Sequence, residues 1–439
     1  MRSSPLPLVI VGAGPIGLAA AAHAATRGLP AIVLEAGPAA GSSVRAWGHV
    51  RLFSPWAELV DPAGGELLAR TGWTRPDPAS YPTGDDWVAS YLAPLAAALD
   101  ATPTIEVRCD HRVVGVARHG RDRLVAADRD RLPFTVHVET PDGRRRISAR
   151  AVLDASGTWT TPNPLGADGY PAAGEPEAAD RITYAIPDLS DPATAARYAG
   201  RHVAVAGAGA SAHNVLVALA ALAGSHPGTR GTWLVRRPGT AEAFGGGADD
   251  QLAARGALGT AARAAVGAGA ISTVTGFRTS DVSTDPVTGR LTLHSFDDLD
   301  GTPGARVDEV DEVVVVTGFR PDLGWLAQVR LDLDPELDAP RLLAGEIHPA
   351  HHSCGSVTPH GAAVLAQPEA GLYLAGMKSY GRAPSFLALT GFEQVRSIVA
   401  ELAGDHEAAA RVELVLPETG VCGGSGLFDA PAQAGACCG

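Results

Sequence analysis

The sequence has few cysteines, a single lysine and no long apolar run. The odd number of cysteines does not suit a disulfide framework, and a reducing cytoplasm is the predicted location. No uninterrupted apolar run reaches the ~18 residues of a membrane-spanning helix, so none is predicted. Lys378 is the only lysine among 35 basic residues, a bias typical of a GC-rich genome. The five cysteines are Cys109, Cys354, Cys422, Cys437 and Cys438.

Basic charge is also scarce, because 48 acidic residues outnumber 35 basic ones and the formal net charge is −13. The arginine runs 144–146 and 236–237 are too short to form a basic surface. We therefore expect neither a nucleic-acid partner nor a membrane partner. Apolar residues make up 46% and charged residues 19% of the 439 residues, which is typical of a soluble globular protein with two or three domains.

Glycine is abundant, and a first group of glycines follows the predicted strand 6–11. Gly12, Gly14 and Gly17 form a G-x-G-x-x-G fingerprint that opens a predicted helix, and the next strand ends in Glu35. Such glycines let the backbone turn tightly and approach a pyrophosphate at the helix N-terminus. An acid at the end of the second strand accepts hydrogen bonds from the adenosine ribose. The pattern predicts a dinucleotide site.

A second fingerprint, G-x-G-x-x-A, contains Gly207, Gly209 and Ser211 between the predicted strand 202–206 and a predicted helix over 210–223. The following strand ends in the pair Arg236 and Arg237 instead of an acid. Arginines there favour the 2′-phosphate of NADP over the bare ribose of NAD. An exposed basic pair without a ligand is the alternative interpretation.

Two dinucleotide sites in one chain indicate a flavoprotein that is reduced by a nicotinamide cofactor. We predict an α/β fold with two Rossmann-like, three-layer dinucleotide-binding domains, of which the NADPH domain is inserted in the FAD domain. The further predicted elements are a helix over 85–99, a hairpin over 133–155 and a helix over 384–402. The predicted domains are 1–165 and 321–410 for FAD, 166–320 for NADPH, and a cysteine-containing tail over 411–439.

Several motifs, taken in chain order, resemble those of two-dinucleotide-binding flavin monooxygenases. They are the first fingerprint with Glu35, the segment 207–212 and the segment 317–321. The segments 377–387, 391–396 and 416–422 are similar to flavoproteins encoded in bacterial arsenic-resistance operons. The resemblance implies FAD and NADPH as cofactors and monooxygenase-like activity with O2 on a small molecule or a metalloid, in metalloid detoxification. A homodimer is one assembly that it allows.

Two departures leave other activities open. The family's F-x-G-x-x-x-H signature is missing at 181–188, and its usual Gly-Asp after the last flavin strand is Gly376-Met377. No C-x-x-C or C-x-x-x-x-C motif is present, so a redox disulfide beside the flavin is not expected. The alternatives are an NADPH-dependent reductase of a low-molecular-weight disulfide or metalloid, and a non-catalytic flavin redox sensor or metalloid chaperone.

The candidate catalytic residues are Lys378, Tyr380 and Arg382, which follow the predicted buried strand 371–376. We expect them near the isoalloxazine edge, where a cation would stabilise negative charge on reduced flavin. The alternative is a salt-bridged or solvated loop.

Further FAD contacts are predicted from Gly157, Gly376, Met377 and Trp56, of which Trp56 could equally be an aromatic residue of a loop core. No resident metal site is predicted, because the spacing of the histidines and cysteine over 351–360 matches no common one. Trivalent arsenic prefers thiolate ligands, so cysteines of the tail are candidates for binding it. The alternative interpretation is that these thiols are incidental. The tail cysteines considered for arsenic are Cys422, Cys437 and Cys438.

Overall fold

The computed structural model describes residues 5–240, 243–247, 250, 252–348, 360–383 and 386–414. Its described residues form two compact units. The first unit comprises 5–161, 319–348 and 360–414, and the second lies within 162–318. The chain therefore leaves the first unit once, builds the second, and returns.

Parallel and antiparallel strands occur in both units. The strands within the described residues are β1 (Leu8–Val11), β2 (Ala31–Leu34), β3 (Ile105–Arg108), β4 (Arg112–Arg118), β5 (Phe134–Thr140), β6 (Gly143–Ala149), β7 (Ala151–Asp154), β8 (Ile182–Thr183), β9 (His202–Ala206), β10 (Arg230–Val235), β11 (Ile271–Thr275), β12 (Thr279–Thr284), β13 (Leu291–Ser295), β14 (Arg306–Val310), β15 (Glu312–Val315) and β16 (Leu372–Leu374).

The helices connect and cover these strands. Those within the described residues are α1 (Pro15–Thr26), α2 (Ser42–Arg45), α3 (Trp56–Leu59), α4 (Pro62–Ala69), α5 (Gly84–Trp87), α6 (Ala93–Asp100), α7 (Pro192–Tyr198), α8 (Ala210–Ser225), α9 (Ala253–Gly267), α10 (Arg341–Ile347), α11 (Ala362–Leu365), α12 (Ala388–Leu402) and α13 (His406–Ala410).

The first unit is built on a parallel sheet of order β16-β7-β1-β2-β3. Its strands are short and mostly apolar, because helices cover one face and the antiparallel sheet β4-β5-β6 covers the other. Val11 pairs with Leu34 and with Asp154, so the carboxyl ends of β1, β2 and β7 meet at one edge. The antiparallel sheet β4-β5-β6 belongs to the same unit, and the hairpin of β5 and β6 lies within the predicted range 133–155.

The second unit repeats this plan with a parallel sheet of order β11-β10-β9-β15-β8 and an antiparallel sheet β12-β13-β14. Ala206 at the end of β9 pairs with Leu234 of β10 and with Val315 of β15. Each unit thus has a strand–helix–strand start at the middle of a parallel sheet. The predicted α/β fold with two Rossmann-like units is confirmed.

One predicted helix differs in detail. The helix predicted over 85–99 contains a π-helical turn, Val88–Leu92, between α5 and α6. Pro94 has no N–H to donate to the carbonyl of Ser90, so the regular ladder is interrupted there. The indole Nε1 of Trp73 donates to that carbonyl at 2.7 Å. The freed acceptor is therefore satisfied from outside the helix.

The last described residues pack against α12. The Arg396 guanidinium donates to the carbonyl of Ala408 at 2.8 Å, and the N–H of Glu413 donates to the Glu393 carboxylate at 3.2 Å. The predicted tail cysteines lie outside the described residues, as do the first two residues of the helix predicted from Pro384. In the part of the chain that is described, no helix is both long enough and apolar enough to cross a membrane.

Candidate cofactor sites

Two glycines of the first fingerprint are required by close backbone packing. Gly12 has φ +98°, and a Cβ on it would lie 2.9 Å from the carbonyl oxygen of Ala155. A Cβ on Gly17 would lie 1.9 Å from the carbonyl oxygen of Gly12. The first turn of α1 therefore sits directly on the loop that leaves β1, and no side chain fits between them.

The middle glycine has a different role. Gly14 has an ordinary φ of −78° and caps α1 without a side-chain hydrogen bond. No atom lies within 4 Å of a Cβ built on it, so the space in front of the helix is open. The first turn of α1 carries no acid. Unpaired N–H groups, a positive helix end and open space together fit a phosphate.

Glu35 lies at the same edge, directly after β2, and is buried. Its carboxylate accepts one hydrogen bond from the N–H of Ala13 and one from the N–H of Gly37, both at 2.8 Å. Because each carboxylate oxygen has a second lone pair, Glu35 can still accept hydrogen bonds from the hydroxyl groups of a ribose. The structure thus brings Glu35 to the fingerprint, as predicted, and also shows it fastening the loop.

Gly157 adds a second open stretch of backbone beside the fingerprint. It follows β7, has φ +68°, and a Cβ on it would meet no atom within 4 Å. Gly376, after β16, also has a positive φ, but its Cβ would meet the Ile16 side chain at 3.1 Å. Its N–H donates to the buried Gln394 side chain at 2.7 Å. Gly376 therefore packs against α1, and the half-buried Met377 follows it.

Lys378 is buried, with only 1% of its side chain exposed. Its ammonium lies 2.7 Å from the carboxylate of Asp154, which is fully buried, and donates to the Ser156 hydroxyl at 3.1 Å. It also lies 4.7 Å from the centre of the Trp325 ring. The structure therefore matches the salt-bridged alternative for this residue.

Tyr380, Arg382 and Trp56 also have structural partners. Tyr380 is buried against the ring of Phe386, and burial raises the pKa of its phenol. Arg382 forms an ion pair with Asp338 at 2.6 Å, and its side chain is 46% exposed. Trp56 begins α3 and is buried in the apolar core of the first unit. These positions suit packing and surface pairing, and their role at a flavin remains a prediction.

The second fingerprint repeats the geometry of the first in the second unit. Gly207 has φ +132°, and a Cβ on it would lie 2.4 Å from the carbonyl oxygen of Val316. Gly209 caps α8 without a side-chain hydrogen bond, and a Cβ on it would meet no atom within 4 Å. Ser211 lies in the first turn of α8. This helix end also fits a phosphate.

Arg236 and Arg237 follow β10 at the carboxyl edge where Gly207 follows β9, because Ala206 and Leu234 are paired. Both arginines are partly buried. The structure therefore brings the predicted basic pair to the same edge as the second fingerprint, which is the placement that recognition of a 2′-phosphate requires.

Sequence reasoning missed three residues near these sites. Asp154 and Ser156 join Lys378, and the signal was an acid at the end of an otherwise apolar strand. His213, one turn into α8, donates to the carbonyl of Ala243 at 2.8 Å and stacks on Phe244. Burial lowers the pKa of His213. It fastens the loop that follows the arginine pair.

Comparison with known families agrees with this geometry. The model of the pyridine nucleotide-disulphide oxidoreductase family matches residues 9–240, more than half of the chain. The chain belongs to this family. As a pyridine nucleotide-disulphide oxidoreductase family member it is a flavin-dependent oxidoreductase with FAD and a nicotinamide dinucleotide as cofactors.

Individual relatives are distant. A para-nitrophenol 4-monooxygenase from Pseudomonas sp. (strain WBC-3) is 27% identical over 180 residues, which are 35% of this chain and 40% of that enzyme. The alignment thus spans less than half of that curated relative.

Among solved structures, a bacillithiol disulfide reductase from Bacillus cereus has a TM-score of 0.63 at 18% identity, covering 91% of this chain and 99% of that one. An FAD-bound cadaverine monooxygenase from Erwinia amylovora has a TM-score of 0.61 at 14% identity, covering 94% and 99%. At these identities the likeness shows the fold.

Proposed function

We propose that the protein is an FAD- and NADPH-dependent monooxygenase that oxygenates a soft, nucleophilic small molecule or metalloid. The observation that carries the proposal is the protonation of the cysteine thiol in the first unit, to which we assign FAD. Among the described residues the only cysteine is Cys109, which follows β3. Burial and the nearby carboxylates of Glu35 and Asp110 raise the pKa of its thiol.

A disulfide reductase needs a thiolate that can attack or leave a disulfide. Cys109 is held in its protonated form beside Glu35, on the ribose side of the fingerprint, where a raised pKa opposes such chemistry. The first fingerprint itself contains no cysteine. Within the described residues the flavin unit thus offers no reactive thiol as an electron acceptor, which favours O2 as the acceptor.

The two fingerprints supply binding and orientation. The N-terminus of α1 at Gly14 and the carboxylate of Glu35 would hold the pyrophosphate and ribose of FAD. The N-terminus of α8 at Gly209, with Ser211, would hold the pyrophosphate of the nicotinamide cofactor. Arg236 and Arg237 would select NADPH. A bound FAD would supply the redox chemistry between NADPH and O2, and the residues of this chain would bind and orient the two cofactors.

The names of two relatives support oxygenation, and neither name decides the substrate of this chain. A curated relative is a monooxygenase, and one of the solved structures of the same fold is a cadaverine monooxygenase. For this chain we propose a metalloid such as trivalent arsenic, supported by the operon-type motifs and by the thiols of Cys422, Cys437 and Cys438. These cysteines lie outside the described residues.

The test is the balance of reagents during turnover of the full-length holoenzyme. NADPH loss, O2 uptake and product are measured with arsenite and with small thioethers and amines, together with release of hydrogen peroxide. A monooxygenase consumes one NADPH and one O2 for each product molecule. When 18O2 is supplied, one 18O atom appears in the product. Turnover of O2 to hydrogen peroxide alone, with no oxygenated product from any of these compounds, would contradict the proposal.

Two observations favour the reductase alternative: a solved structure of the same fold is a bacillithiol disulfide reductase, and Cys437 and Cys438 are adjacent in the sequence. A dithiol can accept electrons from a reduced flavin and pass them to a disulfide or a metalloid. In that case NADPH is oxidised anaerobically when a low-molecular-weight disulfide is added, and replacing both cysteines by serine abolishes the reaction. Negligible turnover under all these conditions would indicate the sensor or chaperone alternative.

A further inference from the structure

The buried ion pair of Asp154 and Lys378 joins separate parts of the first unit. Asp154 ends β7, and Lys378 lies in the 3₁₀ turn that follows β16. Both side chains are at most 1% exposed. The face of the Trp325 ring, from the segment that returns to this unit, covers the ammonium at 4.7 Å. Lys378 thus joins its own segment to two others, the end of β7 and the segment of Trp325.

The pair also determines the position of an exposed residue. The Ser156 hydroxyl donates to the Asp154 carboxylate at 2.6 Å, and the Ser156 N–H donates to the same oxygen at 3.0 Å. The Lys378 ammonium donates to the Ser156 hydroxyl at 3.1 Å. Ser156 itself is exposed. Two buried charges therefore hold an exposed serine by its backbone and by its side chain.

Ser156 is part of the wall of the first fingerprint. A Cβ on Gly12 would lie 3.0 Å from the Cα of Ser156, so this residue lies against the glycine loop. Gly157 and Gly14 both face open space. The segment 155–157 thus lies against the fingerprint loop, to which the FAD pyrophosphate is assigned.

We propose that Asp154 and Lys378 are a positioning pair that holds the segment 155–157 in the geometry that binds FAD. Lys378 does not act as a cation on the isoalloxazine ring, because its charge is balanced by the carboxylate at 2.7 Å. The inference concerns FAD binding and holds whether the reduced enzyme oxygenates or reduces its substrate.

A positioning pair has a distinctive mutational signature. Removing one partner of a buried ion pair leaves an uncompensated charge, whereas replacing both partners by neutral groups is often close to neutral. Lys378→Met leaves the Asp154 carboxylate buried without its partner and removes the hydrogen bond from the Lys378 ammonium to the Ser156 hydroxyl. The double variant Asp154→Asn with Lys378→Met removes that charge, and the asparagine can still accept the hydrogen bonds of Ser156.

The experiment measures FAD release from full-length holoenzyme on serial dilution, followed by the rise in flavin fluorescence. We expect Lys378→Met to weaken FAD binding about a hundredfold, and the double variant to return to within about tenfold of the wild type. Ser156→Ala should weaken binding by about tenfold or less, because the ion pair remains. The flavin midpoint potential of the double variant should equal that of the wild type.

Arg341→Met is the matched control, because it breaks an exposed ion pair with Asp332 at 2.6 Å in the same unit. It should leave FAD release within about twofold of the wild type. If Lys378→Met does not fold, the double variant and Ser156→Ala carry the test. The proposal is overturned if the double variant releases FAD as readily as Lys378→Met, or if Lys378→Met retains FAD and shifts its potential.

Discussion

The two fingerprints of this chain have the same backbone plan but differ at their third small residue. In the first, a Cβ on Gly17 would lie 1.9 Å from the carbonyl oxygen of Gly12. In the second, the equivalent position is Ala212, whose Cβ is accommodated and fully buried. The difference shows that α1 lies closer to its glycine loop than α8 does. The first unit therefore tolerates no side chain at this position, whereas the second accommodates a methyl group.

The surroundings of the two helices differ in the same sense. Every residue from Ile16 to Ala24 of α1 is buried, because α4, α6 and α12 cover the side away from the sheet. Helix α8 buries only one face. The charges after the second strand are opposite as well, with Glu35 in the first unit and Arg236 and Arg237 in the second. Helix α1 is therefore more enclosed than α8, and the residue after the second strand is acidic in the first unit and basic in the second.

The largest effect should come from exchanging the third small residue. Gly17→Ala places a methyl group against a backbone carbonyl, and we expect a loss of more than about 3 kcal/mol with little soluble, FAD-bound protein. Ala212→Gly should cost only about 1 kcal/mol. Soluble yield, FAD content and the urea midpoint are measured for both. Equal tolerance at the two positions would refute the difference in packing.

The second prediction uses the two middle glycines, where there is room for a side chain. Gly14→Val should fold, because no atom lies within 4 Å of the new Cβ, but it should purify without yellow colour since valine occupies the phosphate position. Gly209→Val should keep its FAD and bind NADPH poorly. The absorbance ratio at 450 and 280 nm and NADPH titration separate these outcomes. Stoichiometric FAD in Gly14→Val would reject the assignment of the first fingerprint.

The third prediction concerns the choice of nicotinamide. Replacing both Arg236 and Arg237 by Ala should raise KM for NADPH about 30- to 1000-fold, the effect of losing roughly 2–4 kcal/mol of charge-assisted contacts. KM for NADH should be nearly unchanged. Steady-state kinetics with both cofactors provide the measurement. An equal change with NADH would mean that the pair does not bind the 2′-phosphate.

The smallest effect should be a difference between the two units in how much stability each loses as the pH falls. In the second unit, burial lowers the pKa of His202 and His213. The unfolded chain then binds more protons than the folded one, so their contribution to stability is present above about pH 6.5 and is lost as the pH falls below it, by up to about 1.4 kcal/mol per pH unit for each histidine.

In the first unit, burial opposes ionisation of Glu369, but hydrogen bonds from Arg129 and Arg118 outweigh it and lower the pKa of that carboxyl. Its contribution is lost only below about pH 4.5. Lowering the pH from 6.5 to 5 should therefore reduce the protection of amide hydrogens from exchange in the second unit before it does so in the first. His213→Gln, which can still donate to the Ala243 carbonyl, should reduce that loss. Uniform loss in both units would contradict the assignment.

The sequence predicted the parts of the sites that depend on neighbours in the chain. The glycine fingerprints, Glu35 and the arginine pair all follow strands, and a strand end determines which edge of a parallel sheet a residue reaches. Such residues could be placed from local patterns alone. The π-helical turn was missed because its stabilising donor, Trp73, lies outside the helix.

Lys378 shows why the remainder could not be predicted. Its place after the buried strand β16 was correct, but its charge is balanced from another strand, and its hydroxyl partner Ser156 is 222 residues away in sequence. Pairing across β7 and β16 brings these residues together, and no local pattern encodes that pairing. A buried lysine and an exposed one have the same sequence signature, so only tertiary structure distinguishes them.

Because the sequence has a single lysine, proteolytic cleavage after it can report how often the surrounding structure opens. A lysine-specific endoprotease has one bond to cut, between Lys378 and Ser379, and would release the fragments 1–378 and 379–439. Lys378, Ser379 and Tyr380 are all buried, so cleavage must follow local opening of the turn. The rate at which two bands appear on a gel therefore measures how often this turn opens, and saturating FAD should slow the cleavage if the first unit binds it.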